Sequence, residues 1–188
     1  MNLYFLISES TALLIVIILL LLLSGVWPPD SPWAPWWQMP EDVIRAICRM
    51  AKLSSKDVVY DLGCGTGKAL CFAAKHFAIH GVGIEIDPIR FLLAKWNIKR
   101  FHVEKNVLLL KKNFFKVKLS DATVVFVYLV PAALKRLTPK FLKELRPGTK
   151  FFSYVYPMPE ELFTGRLQLV QHDKKNKIFY YRLLTKAK

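Results

Sequence analysis

The stretch Val58-Val59-Tyr60-Asp61-Leu62-Gly63-Cys64-Gly65-Thr66-Gly67-Lys68 constrains this chain more than any other. A short apolar strand pattern runs into an acid, then into glycines at every second position, then into a helical pattern over Lys68 to His76. Glycines there permit positive φ and a close backbone approach to a ligand. The start of the next helix adds free N–H groups and the positive end of a dipole. Glu85 closes the following apolar run, 22 residues beyond Gly63, at the offset where an acid accepts hydrogen bonds from ribose hydroxyls. A tight strand–helix turn with no ligand is the competing reading, and Glu85 counts against it.

The rest of the chain from residue 40 fits the same alternation. Pro40 at a first helical position, followed by Val43, Ile44, Ile47, Cys48 and Ala51, predicts an amphipathic helix. Val82 to Ile86 predicts a second strand. Asp87 as N-cap and Pro88 after it open a helix to about Phe101. Val107–Leu110 and Ala122–Leu129 predict further strands, Pro131 to about Leu145 a helix broken at Thr138-Pro139, and Lys150–Val155 a fifth strand. Leu167–Gln171 and Ile178–Leu184 flank the polar loop Asp173 to Lys177, which suits a β-hairpin. The expected class is α/β: a Rossmann-like, mostly parallel sheet with helices on both faces and an antiparallel hairpin at the C-terminus. At 188 residues the chain supports one such domain.

Charge is polarised along the chain. No Lys or Arg precedes Arg45, and residues 45–188 hold all 28 basic residues against 10 acids, a net +18. Ahead of them, Ala12 to Leu23 is unbroken apolar sequence, with no charge from Ser10 to Pro29. Pro28 and Pro29 end any helix there, and Trp27, Trp33, Trp36 and Trp37 suit a headgroup zone. A cleaved signal peptide would want a basic start and a small-x-small site, and MNLYFLISES and SGVWPP offer neither. These features predict a transmembrane anchor over 1–27, a Pro/Trp-rich interfacial linker over 28–39 and a folded domain over 40–188. The expected location is a single-pass membrane protein, its domain in the cytoplasm and its N-terminus outside, with membrane lipid as a partner of its basic face. Cys48, Cys64 and Cys71 are too few and too unevenly spaced for a disulfide framework, and no Cys/His cluster suggests zinc.

Several ligand classes fit a glycine loop followed by an acid. A dinucleotide fingerprint would put its third glycine where Lys68 stands, and a phosphate loop would need Ser or Thr where Ala69 stands. Gly-x-Gly-x-Gly after an acid at a strand end instead resembles class I S-adenosylmethionine-dependent methyltransferases. DVVYDLGCGTGK, GVGIEIDP, KNFFKVKLS, VVFVYLVP and ELRPGTK together are similar to the small membrane-associated protein-lysine methyltransferases, over about residues 38–188. That group includes enzymes acting on mitochondrial carrier and ATP-synthase subunits, with prokaryotic relatives. The resemblance implies that S-adenosyl-L-methionine is held by Asp61, Gly63, Cys64, Gly65, Thr66 and Gly67 at its methionine end. It further implies Glu85 and Ile86 at the ribose, Asn113 and Phe114 at the adenine, and Tyr128 beside them. Tyr128, Pro131 and Tyr154 would line the transfer site, and no metal is implied. Gln38-Met39-Pro40, Thr66 and Asn113 depart from the pattern of the group.

A lysine nucleophile must lose its proton, which costs about 4.6 kcal/mol at pH 7 from a reference pKa near 10.4. A desolvated site beside a sulfonium would lower that cost. No Asn/Asp-Pro-Pro-aromatic motif follows the fourth strand, which argues against the amino-methylating enzymes that use it. No general base stands out, since His76, His80, His102 and His172 are scattered. The resemblance makes a protein lysine the expected substrate. RNA, a lipid or a quinone-like small molecule are the other acceptors a positive surface could serve, and a non-catalytic binding module is the reading outside enzymes.

Overall fold

The computed structural model describes residues 3–26, 37–160 and 165–185, and in the first of these the side chains of residues 8–20. Helix α1 (Leu3–Val26) precedes α2 (Glu41–Ala51), β1 (Val58–Leu62), α3 (Lys68–Phe77), β2 (His80–Glu85), α4 (Pro88–Arg100) and β3 (Val107–Lys111). A 3-10 turn (Phe114–Lys116), β4 (Val124–Val127), α5 (Pro131–Glu144), β5 (Lys150–Tyr154), β6 (Leu167–Asp173) and β7 (Ile178–Leu183) complete the chain.

The seven strands form one sheet in the order β3-β2-β1-β4-β5-β7-β6. The first five run parallel, and β7 is antiparallel to both β5 and β6. This is the Rossmann-like sheet with a C-terminal antiparallel hairpin. Alternation along the strands divides the core. Val59, Val124, Phe126, Phe152 and Tyr180 face α2 and α3, whereas Tyr60, Leu62, Val125, Val127, Phe151 and Tyr181 face α5. Central strand β4 is buried at all four positions, as a parallel strand covered on both faces must be.

Three local expectations change. Pro40 is the N-cap of α2 and not its first helical residue, and its carbonyl accepts the Ile44 amide at 3.0 Å. Strand β2 begins at His80 and ends at Glu85, leaving Ile86 outside it. Helix α5 passes through Pro139 without breaking. Pro139 is exposed, so the bond it cannot donate is lost on the solvent side, while buried Thr138 turns its hydroxyl back onto the Leu134 carbonyl at 2.8 Å.

The membrane expectation is overturned. Among the described residues no helix is long and apolar enough to cross a membrane. Helix α1 carries Ser8, Glu9, Ser10 and Thr11 inside its length, and the Thr11 hydroxyl bonds the Ser8 carbonyl at 3.0 Å. Its unbroken apolar run, Ala12 to Leu23, is 12 residues, about 18 Å of helix against a hydrocarbon core of about 30 Å. The single-pass placement, the cytoplasmic domain with an outward N-terminus and the lipid partner that depended on the span fall with it. Trp27 and residues 28–36 of the expected interfacial linker lie outside the described residues.

Candidate active site

Beyond β1 the chain passes through Gly63 (φ +81°), Gly65 (φ +55°) and Gly67 (φ +71°) into α3. Those angles strain any residue with a side chain. A Cβ on Gly67 would meet the Cβ of Ala94 at 3.4 Å, so this glycine also lets α4 lie close. At Gly65 the space is open, with nothing within 4 Å of where a Cβ would stand.

The loop is pinned from three sides. The Gly63 and Cys64 amides donate to the Ile84 carbonyl at 2.9 and 3.0 Å, and Asn97 Nδ2 of α4 donates to the Thr66 carbonyl at 2.9 Å. The Gly65 amide donates to Glu85 Oε2 at 2.9 Å. Glu85 Oε1 accepts the Ile86 and Asp87 amides, each at 2.9 Å. Glu85 is 4% exposed, so the acid expected at a ribose lies under the glycine loop and holds it in shape. Each carboxylate oxygen takes two bonds, and Oε2 therefore has room for a further donor.

Above the loop opens a cavity. Asp61, Gly63, Cys64, Gly65 and Thr66 line it, with Tyr128 on another wall. Gly67, Glu85, Ile86, Asn113, Phe114, Pro131 and Tyr154 do not. Asn113 caps the 3-10 turn, its Oδ1 accepting the Phe115 amide at 2.9 Å, and Phe114 is buried in the core. Pro131 opens α5 at the surface, and Tyr154 meets Tyr128 edge-on with ring centroids 4.7 Å apart.

Trp37 and Arg90 were not legible as site residues, and both line the cavity. Nothing in the sequence ties Trp37 to a loop more than 20 positions away. Arg90 carries a signal: a cation in the first turn of a helix opposes the dipole, so it needs another reason to be there. It is buried at 4% exposure, and its charge favours the ionised form of Glu85.

Burial sets the electrostatics. It pushes the Asp61 carboxyl up to about 7, with repulsion from Glu85 adding to the rise. Burial also raises Glu85, opposed by the amides of Asp87, Gly65 and Ile86 and by Arg90. Cys64 is held well above the usual thiol range by burial and by the two carboxylates beside it, so it is an inert wall. An ionised Asp61 facing the cavity, with Glu85 buried beneath the loop, favours a cationic ligand.

The sequence profile of the ANTKMT methyltransferase domain matches residues 61–162, from the strand acid to beyond β5. The chain belongs to that family. It is 41% identical over 126 residues to a protein-lysine N-methyltransferase of Saccharolobus islandicus, an alignment spanning 66% of this chain and 78% of that protein. It is 31% identical over 99 residues to the adenine nucleotide translocase lysine N-methyltransferase of Mus musculus, of which it spans 43%. Among solved structures it is similar to an RNA methyltransferase from Salinibacter ruber in complex with S-adenosyl-L-homocysteine. That likeness has a TM-score of 0.73 and 31% identity, and covers 81% of this chain and 96% of the other.

The protein is thus a class I S-adenosylmethionine-dependent methyltransferase. The cavity fits that cofactor on its own evidence: a cationic sulfonium meets the buried Asp61 carboxylate, and the open space at Gly65 is where a side chain would collide with a ligand.

Proposed function

We propose that this enzyme methylates a lysine side chain of a protein. The observation that carries the reading is the 41% identity to the Saccharolobus islandicus protein-lysine N-methyltransferase across 78% of that protein's length. S-adenosylmethionine supplies, when bound, a methyl group made electrophilic by its sulfonium. We assign the catalytic unit to residues 40–188, because α2 buries Val43, Ile44 and Ile47 in the same core as β1 and β4.

Asp61 and the amides around Gly63–Gly67 hold the methionine end, and Glu85 shapes the loop and offers Oε2 to a ribose hydroxyl. Ile86 borders the ribose side, and Asn113 with Phe114 flanks the adenine side. Tyr128 stands where the methyl group must point, at the C-terminal end of β4. Its hydroxyl is raised by burial and by Tyr154 and Tyr156, so it stays protonated and acts as a wall and hydrogen-bond donor, not as a base. Most of the help then comes from placing the amine in line and excluding water.

RNA is the second reading, favoured by the Salinibacter ruber structure and by the +18 balance of residues 45–188. One experiment separates the two. Purified enzyme is incubated with methyl-labelled S-adenosylmethionine and a cell extract, which is then split into protein, RNA and lipid. Label in protein that hydrolyses to Nε-methyl-lysine is expected. Label confined to RNA or lipid overturns the reading.

A further inference from the structure

The end of β5 carries a strained turn. Val155 sits at φ +70°. A β-branched residue is rarely found there, and such outliers collect at functional sites. The Tyr156 amide bonds back to the Tyr154 carbonyl at 2.9 Å, which closes a γ-turn of the strained, positive-φ kind. Two further bonds hold it. The Val155 amide donates to the Lys177 carbonyl of the C-terminal hairpin at 2.8 Å. The hydroxyl of fully buried Ser153 donates to the Tyr156 carbonyl at 2.6 Å.

The turn sets two aromatic rings beside the cofactor cavity. A second, smaller and open cavity is lined by Trp37, Tyr128, Leu129, Val130 and Tyr156. Trp37 and Tyr128 belong to both cavities, so they are the shared wall. Tyr156 belongs to the smaller one alone. Tyr154 braces Tyr128 edge-on, and burial raises the Tyr154 hydroxyl, with the charge of Asp42 adding to the rise.

We infer that the smaller cavity is the acceptor site, that it takes an alkylammonium side chain between aromatic faces, and that the γ-turn locked by Ser153 fixes Tyr156 for that purpose. This rests on the lysine reading above and adds where the substrate enters and what recognises it. Aromatic faces attract a cation while leaving its apolar stem desolvated. Tyr156 contacts substrate in this arrangement, and Ser153 and Val155 are positioning residues.

The test uses the full chain, labelled S-adenosylmethionine and a Gly/Ser peptide bearing one lysine. Tyr156→Leu should raise the peptide KM roughly fivefold or more, with the Kd for S-adenosylmethionine unchanged by calorimetry. Tyr156→Phe, which keeps the aromatic face, should restore the KM. Val155→Gly relieves the backbone strain, so its Tm should hold or rise while KM still increases. The same peptide with trimethyl-lysine should compete better than its norleucine counterpart, which has no cation. If the peptide is labelled and neither Tyr156→Leu nor Val155→Gly moves its KM, or if norleucine competes as well as trimethyl-lysine, the inference is overturned. If the unaltered enzyme labels RNA and never the peptide, the lysine reading itself has failed, a result visible before any variant is compared.

Discussion

The Glu85 carboxylate accepts the Gly65 amide at 2.9 Å, so an acid on β2 and a glycine of the ligand loop are one mechanical unit. Two more amides, from Ile86 and Asp87, converge on the same buried side chain. Bonds to a charged acceptor are worth about 1.5–3 kcal/mol each, and stranded buried donors add to the loss. Glu85→Ala is therefore expected to lower stability by about 2–4 kcal/mol and to weaken S-adenosylmethionine more than tenfold. Denaturant melts and calorimetry check both, and an unchanged cofactor affinity would contradict the placement.

Asp61, proposed to hold the cofactor, should give its affinity a pH dependence near neutrality. Its carboxyl is pushed up to about 7 from 3.8, by burial first and by Glu85 second. Only the ionised form attracts a cation, so affinity should drop about tenfold between pH 8 and pH 6. Asp61→Asn should flatten that profile as well as weaken binding. The folded state holds this proton more tightly than the unfolded chain. Its contribution to the stability of the ligand-free enzyme is thus complete below about pH 4 and is lost as pH rises through 7. Melting the ligand-free protein across that range, with Asp61→Asn beside it, reads the sign directly.

Two glycines should fail in different ways. A Cβ on Gly83 would stand 2.9 Å from Cys64 Sγ and 3.0 Å from Leu70 Cδ1, so Gly83→Ala overpacks the core and should cost about 1–3 kcal/mol. Gly65→Ala meets nothing within 4 Å and should cost about 1 kcal/mol, from its positive φ alone. Its methyl group projects where a ligand belongs, however, and S-adenosylmethionine should bind more than tenfold worse. A Gly65→Ala enzyme with normal affinity would place the cofactor elsewhere.

Trp37 faces both cavities. Trp37→Ala should therefore weaken cofactor and acceptor together, several-fold each, unlike Tyr156→Leu, which should affect the acceptor alone. Paired calorimetric and steady-state measurements on the two variants distinguish these patterns.

Local chemistry made much of this visible in advance. The alternation of short apolar runs with 3.6-residue patterns marks the sheet and its helices, and Asp87-Pro88 marks the start of α4, where Asp87 does accept the Arg90 amide at 2.8 Å. The hidden parts depend on tertiary geometry. Pro139 advertises a break, but its position on the exposed side of α5 makes the missing bond cheap. The 12-residue apolar run in α1 reads as a span only when its polar neighbours are counted as hydrocarbon. Trp37 looks like part of an interfacial aromatic cluster until the fold brings it to the two cavities that Tyr128 also lines. Val155 carries no signal at all, because its backbone angle is imposed by Ser153 and Lys177 from elsewhere in the sheet.

The carbonyl of Lys177 reaches from the last hairpin to the Val155 amide, which divides the sheet by labour. In the proposed arrangement donor chemistry is furnished by the parallel half, and the antiparallel appendage acts as a backstop for whatever is delivered to it. A change confined to the Lys177 end of that hairpin would then leave an enzyme that still charges itself with its methyl source but has lost its aim.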